Sequence, residues 1–494
     1  MSSQYIKINF KGGIVSPGEL YNILVAATRA HIHYVGFGLR QQLLVKVEPS
    51  TMGVFTKGLD ELGVFYQTNN DGFPNITSSY PAEEVFINNT WLSEGVYKDI
   101  FDAFDYEPAL KVNICDSNQS FAPLLTGNVN WMASPSARHY WHLFIRFPKT
   151  NIIFEWDQLT YTNDIARLSK QIEAAICDNI ESASGALTGK DVFNKIDLKD
   201  YILKQADAPA SLPAFNLPYY EGLNRYNNKF WLGIYRRDEL FSVDFLKELC
   251  LLCLQTKIGQ ICSTPWKTII IKAIEEKDRI YWNRLLEKYQ VNVRHASNEL
   301  NFQVEDNCDD GLALKNWLVK NLNDDDIRSF GICIGIKTRK KSEVFSSILI
   351  RKKSLLKLFG ISFFNVYDIL CAHDFNPNER TGFVFSKNNP RFVLAEQLRR
   401  SIVAYYKYRA SFPAEVPQVS IPKKTHPDLT VADHVFQCKD CLTVYDERTG
   451  DEPNGIRAGT AFGNLPAHYC CPVCETPASD FRKIARAALT LQAV

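Results

Sequence analysis

Two Cys-x-x-Cys pairs near the C-terminal end constrain this 494-residue chain more than any other feature of its sequence. Cys438 and Cys441 form the first pair, Cys471 and Cys474 form the second, and 29 residues lie between them. Four thiolates at this spacing are typical of a tetrahedral site for iron or zinc. Cys470 stands beside a ligand position but outside both pairs, so we interpret it as a bystander. The sequence therefore predicts a four-cysteine metal site.

Charge and hydropathy narrow the functional classes. The chain has 56 Lys and Arg against 55 Asp and Glu, so no overall field attracts it to nucleic acid or to an anionic membrane surface. With 46% hydrophobic residues it can bury a sizeable core, yet no apolar run approaches the ~20 residues of a membrane span. No signal peptide is predicted. We expect a cytoplasmic protein, in which clustered cysteines favour metal over disulfides.

Two proline-containing breaks divide the chain. The segment 411–435 carries four prolines without helical or strand periodicity, which predicts a semi-rigid Pro-rich linker. Residues 206–218 contain three prolines and a single charge, which predicts a second, shorter linker. The predicted domains are therefore a first half at 1–205, a second half at 219–410 and a small C-terminal domain at 436–494.

The two halves resemble each other as diverged copies. In the first, a strand at Tyr5–Phe10 precedes Ser16, a predicted N-cap with Glu19 three residues on, and an amphipathic helix. In the second, a strand at Phe230–Arg236 precedes Ser242 as the cap of another amphipathic helix. At one ungapped offset of 226 residues, four identities align: Ser16 with Ser242, Leu20 with Leu246, Ile32 with Ile258 and Lys46 with Lys272. The shared order of strand, capped helix, turn and strand indicates a duplicated α+β unit.

The C-terminal segment from Phe436 to Ile484 resembles rubredoxin. Besides the two cysteine pairs, the resemblance rests on Tyr445-Asp446, Gly450-Asp451, Asn454-Gly455, Gly459-Thr460, Phe462, Leu465-Pro466, Pro472 and Phe481. It implies one iron held by Cys438, Cys441, Cys471 and Cys474, cycling between the ferric and ferrous states. An aromatic shell of Tyr445, Phe462, Tyr469 and Phe481 would keep water away from it.

Three positions depart from the usual rubredoxin pattern. Tyr469 stands where rubredoxins usually carry Trp, and Leu442 and Glu475 stand where they usually carry Gly. If the two latter residues keep a positive φ, each costs roughly 1–2 kcal/mol. Glu475 also brings negative charge near the sulfurs, which should favour the ferric state.

The duplicated body resembles the paired ferredoxin-like half-domains of sirohaem nitrite and sulfite reductases. The motifs that carry this resemblance are Gly12-Gly13 and Leu39-Arg40-Gln41-Gln42 in the first half, and Ser263-Thr264-Pro265-Trp266-Lys267 in the second. In that family, basic residues on these turns bind the carboxylates of sirohaem. The resemblance therefore implies Arg40 and Lys267 as cofactor-binding residues, with Lys267 standing where Arg is usual. No catalytic residue is predicted.

The body departs from that family in its cysteines. The reductases bridge sirohaem to a [4Fe–4S] cluster held by two closely spaced cysteine pairs, and the body has no such pairs. Cys250 and Cys253 are three residues apart, but they lie in the apolar helix FLKELCLLCL, which favours buried, inert thiols. We expect no [4Fe–4S] cluster and no intrinsic reduction of nitrite or sulfite, while sirohaem binding stays open.

Other polar features favour structural over functional interpretations. His139 and His142 form an i, i+3 pair in an aromatic, strand-like run, which favours packed or edge histidines over a metal site. His31 and His33 flank Ile32 on one predicted strand face, which favours exposed histidines. Asp324-Asp325-Asp326 is typical of a helix start or a solvated turn.

One strong charge run remains. The segment Lys337–Lys357 carries eight basic residues against Glu343 alone. It predicts either a solvated hairpin face or a dock, and the dock's occupant would be an acidic redox partner, the acidic C-terminal domain or sirohaem carboxylates.

Together these features predict an α+β chain: a duplicated, sirohaem reductase-like body with ferredoxin-like half-domains, followed by a small rubredoxin fold. The favoured function is one-electron transfer at an iron centre with four cysteine ligands, with a flavin-dependent reductase as donor and a terminal oxidoreductase as acceptor. The resemblance implies a role in assimilatory nitrate/nitrite or sulfite reduction. Two alternatives stay open: a sirohaem-dependent reductase with a built-in rubredoxin donor, and a non-catalytic scaffold with a structural zinc knuckle.

Overall fold

The computed structural model describes residues 4–70, 72–87, 90–148, 152–182, 188–339, 344–358, 361–379, 381–411 and 434–485. The chain divides into two compact units, Met1–Pro413 and Ala414–Val494. This division falls inside the predicted Pro-rich linker, whose residues 412–433 lie outside the described ranges. The predicted bounds at 205, 218 and 410 stay predictions. None of the described helices is long and apolar enough to cross a membrane.

The first unit begins with an antiparallel half-domain. A helix caps one face of its sheet because apolar residues recur at helical spacing after the Ser16 cap. Its elements are β1 (Gln4–Ile8), β2 (Ile14–Val15), α1 (Pro17–Arg29), β3 (Tyr34–Phe37), β4 (Leu43–Val47), α2 (Met52–Glu61) and β5 (Tyr66–Thr68).

A mixed α/β module follows this half-domain. Its sheet pairs three parallel strands with antiparallel neighbours, in the order β12-β11-β9-β8-β7-β6, with β10 on β9. The elements are β6 (Thr77–Ser78), α3 (Glu94–Ala103), β7 (Val112–Cys115), β8 (Val129–Ala133), β9 (Tyr140–Arg146), β10 (Ile153–Glu155), β11 (Gln158–Tyr161), α4 (Ile165–Ser182), α5 (Gly189–Phe193) and β12 (Leu203–Gln205).

The second half repeats this order of half-domain and α/β module. The half-domain contains β13 (Gly222–Tyr226), β14 (Lys229–Ile234), β15 (Leu240–Ser242), α6 (Val243–Gln255), β16 (Ile261–Ser263), β17 (Ile269–Ile274) and α7 (Arg279–Lys288). The module contains β18 (Phe302–Val304), α8 (Asp309–Asp324), β19 (Ile334–Lys337), β20 (Ile348–Leu358), β21 (Ile361–Ala372), β22 (Gly382–Asn389) and α9 (Arg391–Ser411). Its strands β18, β19 and β20 are parallel and β21 and β22 antiparallel, as in the first module.

Backbone geometry confirms the predicted duplication. Helices α1 and α6 begin and end at positions related by the same 226-residue offset. Ser16 accepts a hydrogen bond from the backbone of Glu19, and Ser242 accepts one from the backbone of Phe245. The left-handed positions also repeat at this offset, since His31 corresponds to Lys257 and Gln41 to Lys267, with φ values of 57°, 59°, 64° and 57°.

The two half-domains exchange strands. Strand β2 of the first half pairs with β16 of the second, and β15 of the second half pairs with β3 of the first. Apolar side chains of α1 and α6 share one buried core, including Leu20, Leu24, Leu246 and Leu249. Because each sheet includes a strand from the other half, the halves form one body.

Two local expectations are correct only in part. His31 and His33 are both exposed, as predicted, but His31 lies in the turn after α1 and His33 lies before β3, so they do not share a strand face. Asp324 is the last residue of α8, and Asp326 adopts a left-handed φ of 52° in the turn that follows. The acidic triplet therefore runs from the end of a helix into an exposed turn, which confirms the predicted solvated turn and not the predicted helix start.

The second unit contains a small antiparallel sheet in the order β24-β23-β25. Its strands are β23 (His434–Cys438), β24 (Val444–Tyr445) and β25 (Phe481–Ala485). Two Cys-x-x-Cys segments, residues 438–443 and 471–476, follow β23 and precede β25, and we call them the first and second knuckles.

Candidate metal centre

The two knuckles bring the four predicted cysteines together. Their four sulfur atoms all lie within 4.8 Å of one another. The Sγ atoms of Cys438 and Cys474 are 3.5 Å apart, and those of Cys441 and Cys471 are 3.3 Å apart. A tetrahedral site with metal–sulfur bonds of about 2.3 Å has sulfurs roughly 3.8 Å apart. The arrangement therefore suits one tetrahedrally bound metal ion.

An aromatic shell surrounds the sulfurs. Tyr445, Tyr469 and Phe481 are 3%, 7% and 8% exposed, and Phe462 is half-buried. The ring of Phe462 stacks on Phe436 with centroids 3.9 Å apart and planes 8° apart. The Tyr469 hydroxyl donates to Asp451 at 2.8 Å. The predicted shell covers the buried Cys438 and Cys471, while Cys441 is half-buried and Cys474 is exposed.

Both knuckles contain a strained residue. Leu442 and Glu475 have φ values of 64° and 60°, in the left-handed region where rubredoxins usually carry Gly. The predicted strain is therefore present at both positions, at a cost of roughly 1–2 kcal/mol each.

The remaining cysteines stand apart from this centre. Cys470 is exposed. Cys250 and Cys253 are fully buried in α6, and burial raises the pKa of the Cys250 thiol to about 12, so both are inert core residues as predicted. Among the described residues, the four knuckle cysteines form the one group of three or more Cys, His, Asp or Glu side chains with ligand atoms close enough to hold a metal.

Arg40, predicted from the resemblance to bind sirohaem, is a buried staple. It is 4% exposed, and its guanidinium donates to the carbonyl oxygens of Asn75 and Val112 and to the Asn113 side chain at 2.7–3.3 Å. These bonds join the turn after β3 to strand β7. The charge is therefore used to hold the backbone of the body together.

Lys267, the other predicted sirohaem residue, is part of an ion-pair network in which the two lysines are buried and the two carboxylates partly buried. Its Nζ lies 2.6 Å from Glu239, 3.5 Å from Asp306 and 3.2 Å from the carbonyl oxygen of Glu305. Lys315 pairs with the same Glu239 at 3.0 Å. We call Glu239, Lys267, Asp306 and Lys315 the charged cluster.

The members of the charged cluster shift one another's pKa values. Burial alone would raise the pKa of Glu239, but the ammonium groups of Lys267 and Lys315 outweigh burial and hold it below its usual value. Burial alone would lower the pKa of Lys315, but Tyr235 and Glu239 raise it. Burial raises the pKa of Asp306, against the opposing pull of Lys267. Glu239 is therefore the carboxylate that the two ammonium groups hold most firmly in its charged form.

The body does not fit sirohaem at these positions. The cavity beside Arg40 is lined by Leu39, Pro123, Thr126 and Gln303 and measures about 10 Å³, which is room for about one water molecule. Around Lys267 stand two carboxyl groups, which disfavour the carboxylates of a tetrapyrrole. Both predicted side chains are thus committed to protein partners.

The histidine pair is packed as predicted. His142 lies in β9 with 5% exposure, and burial lowers its pKa. His139 lies in the turn before the same strand with a φ of 64°. The half-buried His139 ring lies 5.3 Å from the Trp91 ring and 6.2 Å from the Tyr161 ring, measured between centroids.

Three of the eight basic residues in the run are paired with carboxylates of their own module. Asp368 is 2.8 Å from Arg351 and also pairs with Lys353, while Lys352 lies 2.9 Å from Asp310. Burial would raise the pKa of Asp368, but hydrogen bonds from Lys353, the Asn388 backbone and Arg351 bring it to about 2. The sequence count overstated the free positive charge, because it could not include acidic partners from β21 and α8. Residues 340–343 of the run lie outside the described residues.

Known proteins resemble the two units separately. The rubredoxin family model matches residues 435–481. The chain is 47% identical over 49 residues to the rubredoxin in uptake hydrogenase operon of Azotobacter chroococcum, covering 10% of this chain and 68% of that protein. It is 41% identical over 49 residues to rubredoxin-2 of Chlorobaculum tepidum, covering 10% of this chain and 94% of that protein. The match to high molecular weight rubredoxin of Moorella thermoacetica, 32% over 83 residues, spans only 16% of this chain and 36% of that protein.

The fold and the four sulfurs define the second unit as a four-cysteine metal-binding domain of the electron-transfer class. Through residues 435–481, the chain belongs to the rubredoxin family. The solved structure of the Mycobacterium tuberculosis NirA protein superposes with a TM-score of 0.61 at 15% identity, covering 82% of this chain and 81% of that one. The body therefore has the NirA fold, which confirms the predicted combination of a reductase-like body with a rubredoxin domain.

Sequence reasoning missed the partners of the predicted residues. At the 226-residue offset, Glu239 corresponds to Gly13 and Lys267 to Gln41. A Cβ on Gly13 would lie 2.6 Å from the Gln41 side chain, so the first half has no space for the carboxylate that the second half uses. In the second half, Glu and Lys replace the Gly and Gln of the first half. This pair of replacements was the sequence signal that an ion pair takes the place of the contact between Gly13 and Gln41.

Proposed function

We propose that the chain is a one-electron carrier whose iron, bound by Cys438, Cys441, Cys471 and Cys474, serves an assimilatory nitrate/nitrite or sulfite reduction system. A flavin-dependent reductase is the proposed donor and a terminal oxidoreductase the proposed acceptor. The observation that carries the proposal is the set of four sulfurs within 4.8 Å in a rubredoxin domain. Four fixed thiolates change little in geometry between oxidation states, so a bound iron would transfer one electron with a low reorganisation energy.

The body supports a carrier over a reductase. It shares the NirA fold, but Arg40 and Lys267 are bonded to protein groups, and the cavity at Arg40 has the volume of about one water. A chain that keeps this fold, with a cavity at Arg40 too small for a tetrapyrrole, is suited to work alongside a reductase.

The test is metal analysis and absorption spectroscopy of the purified full chain before and after dithionite. About one iron per chain and a visible band that bleaches on reduction are expected. A colourless protein with zinc in place of iron would overturn the carrier function and favour the structural knuckle.

The same preparation tests the body. Neither a sirohaem band nor reduction of nitrite or sulfite by the chain alone is expected. Four additional irons with acid-labile sulfide, or turnover without a second enzyme, would show that the body is itself a reductase. Donor and acceptor are then tested by following the visible band when candidate flavin reductases and oxidised partner enzymes are mixed with the chain.

A further inference from the structure

The two knuckles repeat each other at an offset of 33 residues. The backbone N–H of Cys438 donates to the Thr443 carbonyl at 2.8 Å, and that of Cys471 donates to the Thr476 carbonyl at the same distance. The left-handed residues Leu442 and Glu475 also correspond. The sulfur environments therefore start from matching backbones, and any difference between them comes from side chains.

Each knuckle places a threonine hydroxyl beside its second cysteine. Thr443 Oγ1 lies 3.0 Å from the sulfur of Cys441, and Thr476 Oγ1 lies 3.0 Å from the sulfur of Cys474. A metal-bound cysteine is a thiolate without a proton, so any hydrogen bond in these contacts must be donated by the hydroxyl. A hydroxyl has one proton to donate.

One side chain breaks the match between the knuckles. Thr476 Oγ1 also lies 2.6 Å from a carboxylate oxygen of Asp440, which belongs to the first knuckle. The residue equivalent to Asp440 in the second knuckle is Val473, which has no acceptor to offer Thr443. In the described part of the chain, the Thr443 proton therefore goes to sulfur, while the Thr476 proton has a closer and more strongly accepting carboxylate.

We propose that Asp440 is a positioning residue that withholds the Thr476 hydroxyl from Cys474 and thereby lowers the reduction potential of the centre. This inference rests on the proposed function, namely iron at the four cysteines. Hydrogen bonds to the sulfurs stabilise the electron-rich reduced state. Cys441 receives such a bond from its threonine and Cys474 does not. The reduction potential is therefore lower than that of a centre in which both threonines donate to sulfur.

Two substitutions separate the charge of Asp440 from its hold on the hydroxyl. Asp440→Asn removes the charge but keeps a carbonyl oxygen that accepts the Thr476 proton. Asp440→Val removes both and copies Val473, a side chain that the matched position already accommodates. Iron content is measured first in the full chain, and the potential then by equilibrium redox titration of the visible band.

Asp440→Val should favour reduction about tenfold more than Asp440→Asn, a difference of about 59 mV for a one-electron couple. In a Thr476→Val background the difference between the two Asp440 variants should vanish. Thr443→Val is the matched control: it removes a donor in use and should lower the potential, whereas Thr476→Val alone should change it less.

Equal potentials for the two Asp440 variants would overturn the inference, and so would a difference that persists without the Thr476 hydroxyl. A wild-type chain that binds no iron would instead overturn the proposed function. If all variants bind iron but show none of these shifts in potential, the proposed carrier function stands and only the role of Asp440 is rejected.

Discussion

The chain contains two tight clusters of ionisable side chains, and they differ in how their charge is balanced. The knuckles collect four cysteine sulfurs within 4.8 Å, and as thiolates these repel one another unless a cation lies between them. The charged cluster of the body collects two carboxyl and two ammonium groups, which pair with each other at 2.6–3.5 Å. The first arrangement requires a metal, whereas the second leaves nothing for a ligand to balance. A fold shared with a cofactor-binding protein is thus poor evidence that the cofactor is bound. The ion pairs of the charged side chains at the site must first be known.

The first prediction tests the knuckles by removing one ligand, which is the largest effect expected. Cys471→Ser should abolish the visible band and iron content of the purified chain, because three thiolates and a hydroxyl no longer make a sulfur tetrahedron. Cys470→Ser is the matched control, since Cys470 is an exposed free thiol one residue away, and its spectrum should equal that of the wild type. Iron lost from the Cys470 variant but retained in the Cys471 variant would show that the ligand assignment is wrong.

The second prediction breaks the charged cluster. Glu239→Gln leaves Lys267 with Asp306 and takes from the buried Lys315 the carboxylate with which it pairs, so the free energy of unfolding of the body should fall by about 3–5 kcal/mol. All eight tryptophans lie in the first unit, so denaturant unfolding followed by tryptophan fluorescence reports on the body.

Glu276→Gln provides the control for this change. Glu276 pairs with Arg279 at 2.5 Å on the surface, with side chains 61% and 41% exposed. The same substitution there should change stability by less than about 1 kcal/mol. Equal effects at the two positions would mean that the charged cluster contributes no more than a solvated pair.

The same comparison explains what could be predicted from the sequence. The four metal ligands lie within 37 residues in two short motifs, so their spacing alone indicated the site. The halves were recognisable because Ser16 and Ser242 start two helices with matching apolar spacing. By contrast, Glu239 and Lys315 are 76 residues apart and meet only through the tertiary fold. The strand exchange through β2 and β15 was also invisible, since neither short strand carries a periodicity of its own.

The third prediction concerns the pH dependence of the charged cluster. The folded-state pKa of Glu239 is below the ordinary value of 4.5, so the folded protein binds fewer protons there than the unfolded chain. The contribution of Glu239 is therefore fully present above pH 4.5 and is lost as the pH falls toward the folded pKa. The stability difference between wild type and Glu239→Gln should be constant from about pH 7 to about 5.5, then shrink by about 1.4 kcal/mol per pH unit below about 4.5. A difference that grows in acid would contradict the lowered pKa.

The last prediction concerns the strained backbone of the knuckles. Leu442 is 50% exposed and has a φ of 64°, so its side chain contributes little burial while its backbone lies in a region that favours Gly. Leu442→Gly relieves roughly 1–2 kcal/mol of strain and loses part of that through the greater freedom of glycine in the unfolded chain. A net gain of about 0.5–1 kcal/mol is expected, measured as a higher denaturant midpoint for loss of the visible band at a fixed incubation time. Val473→Gly, at another exposed position but without a positive φ, should lower that midpoint, because there glycine relieves no strain. If both glycine variants lower the midpoint, the Leu442 side chain stabilises the iron-bound state by more free energy than its left-handed backbone costs.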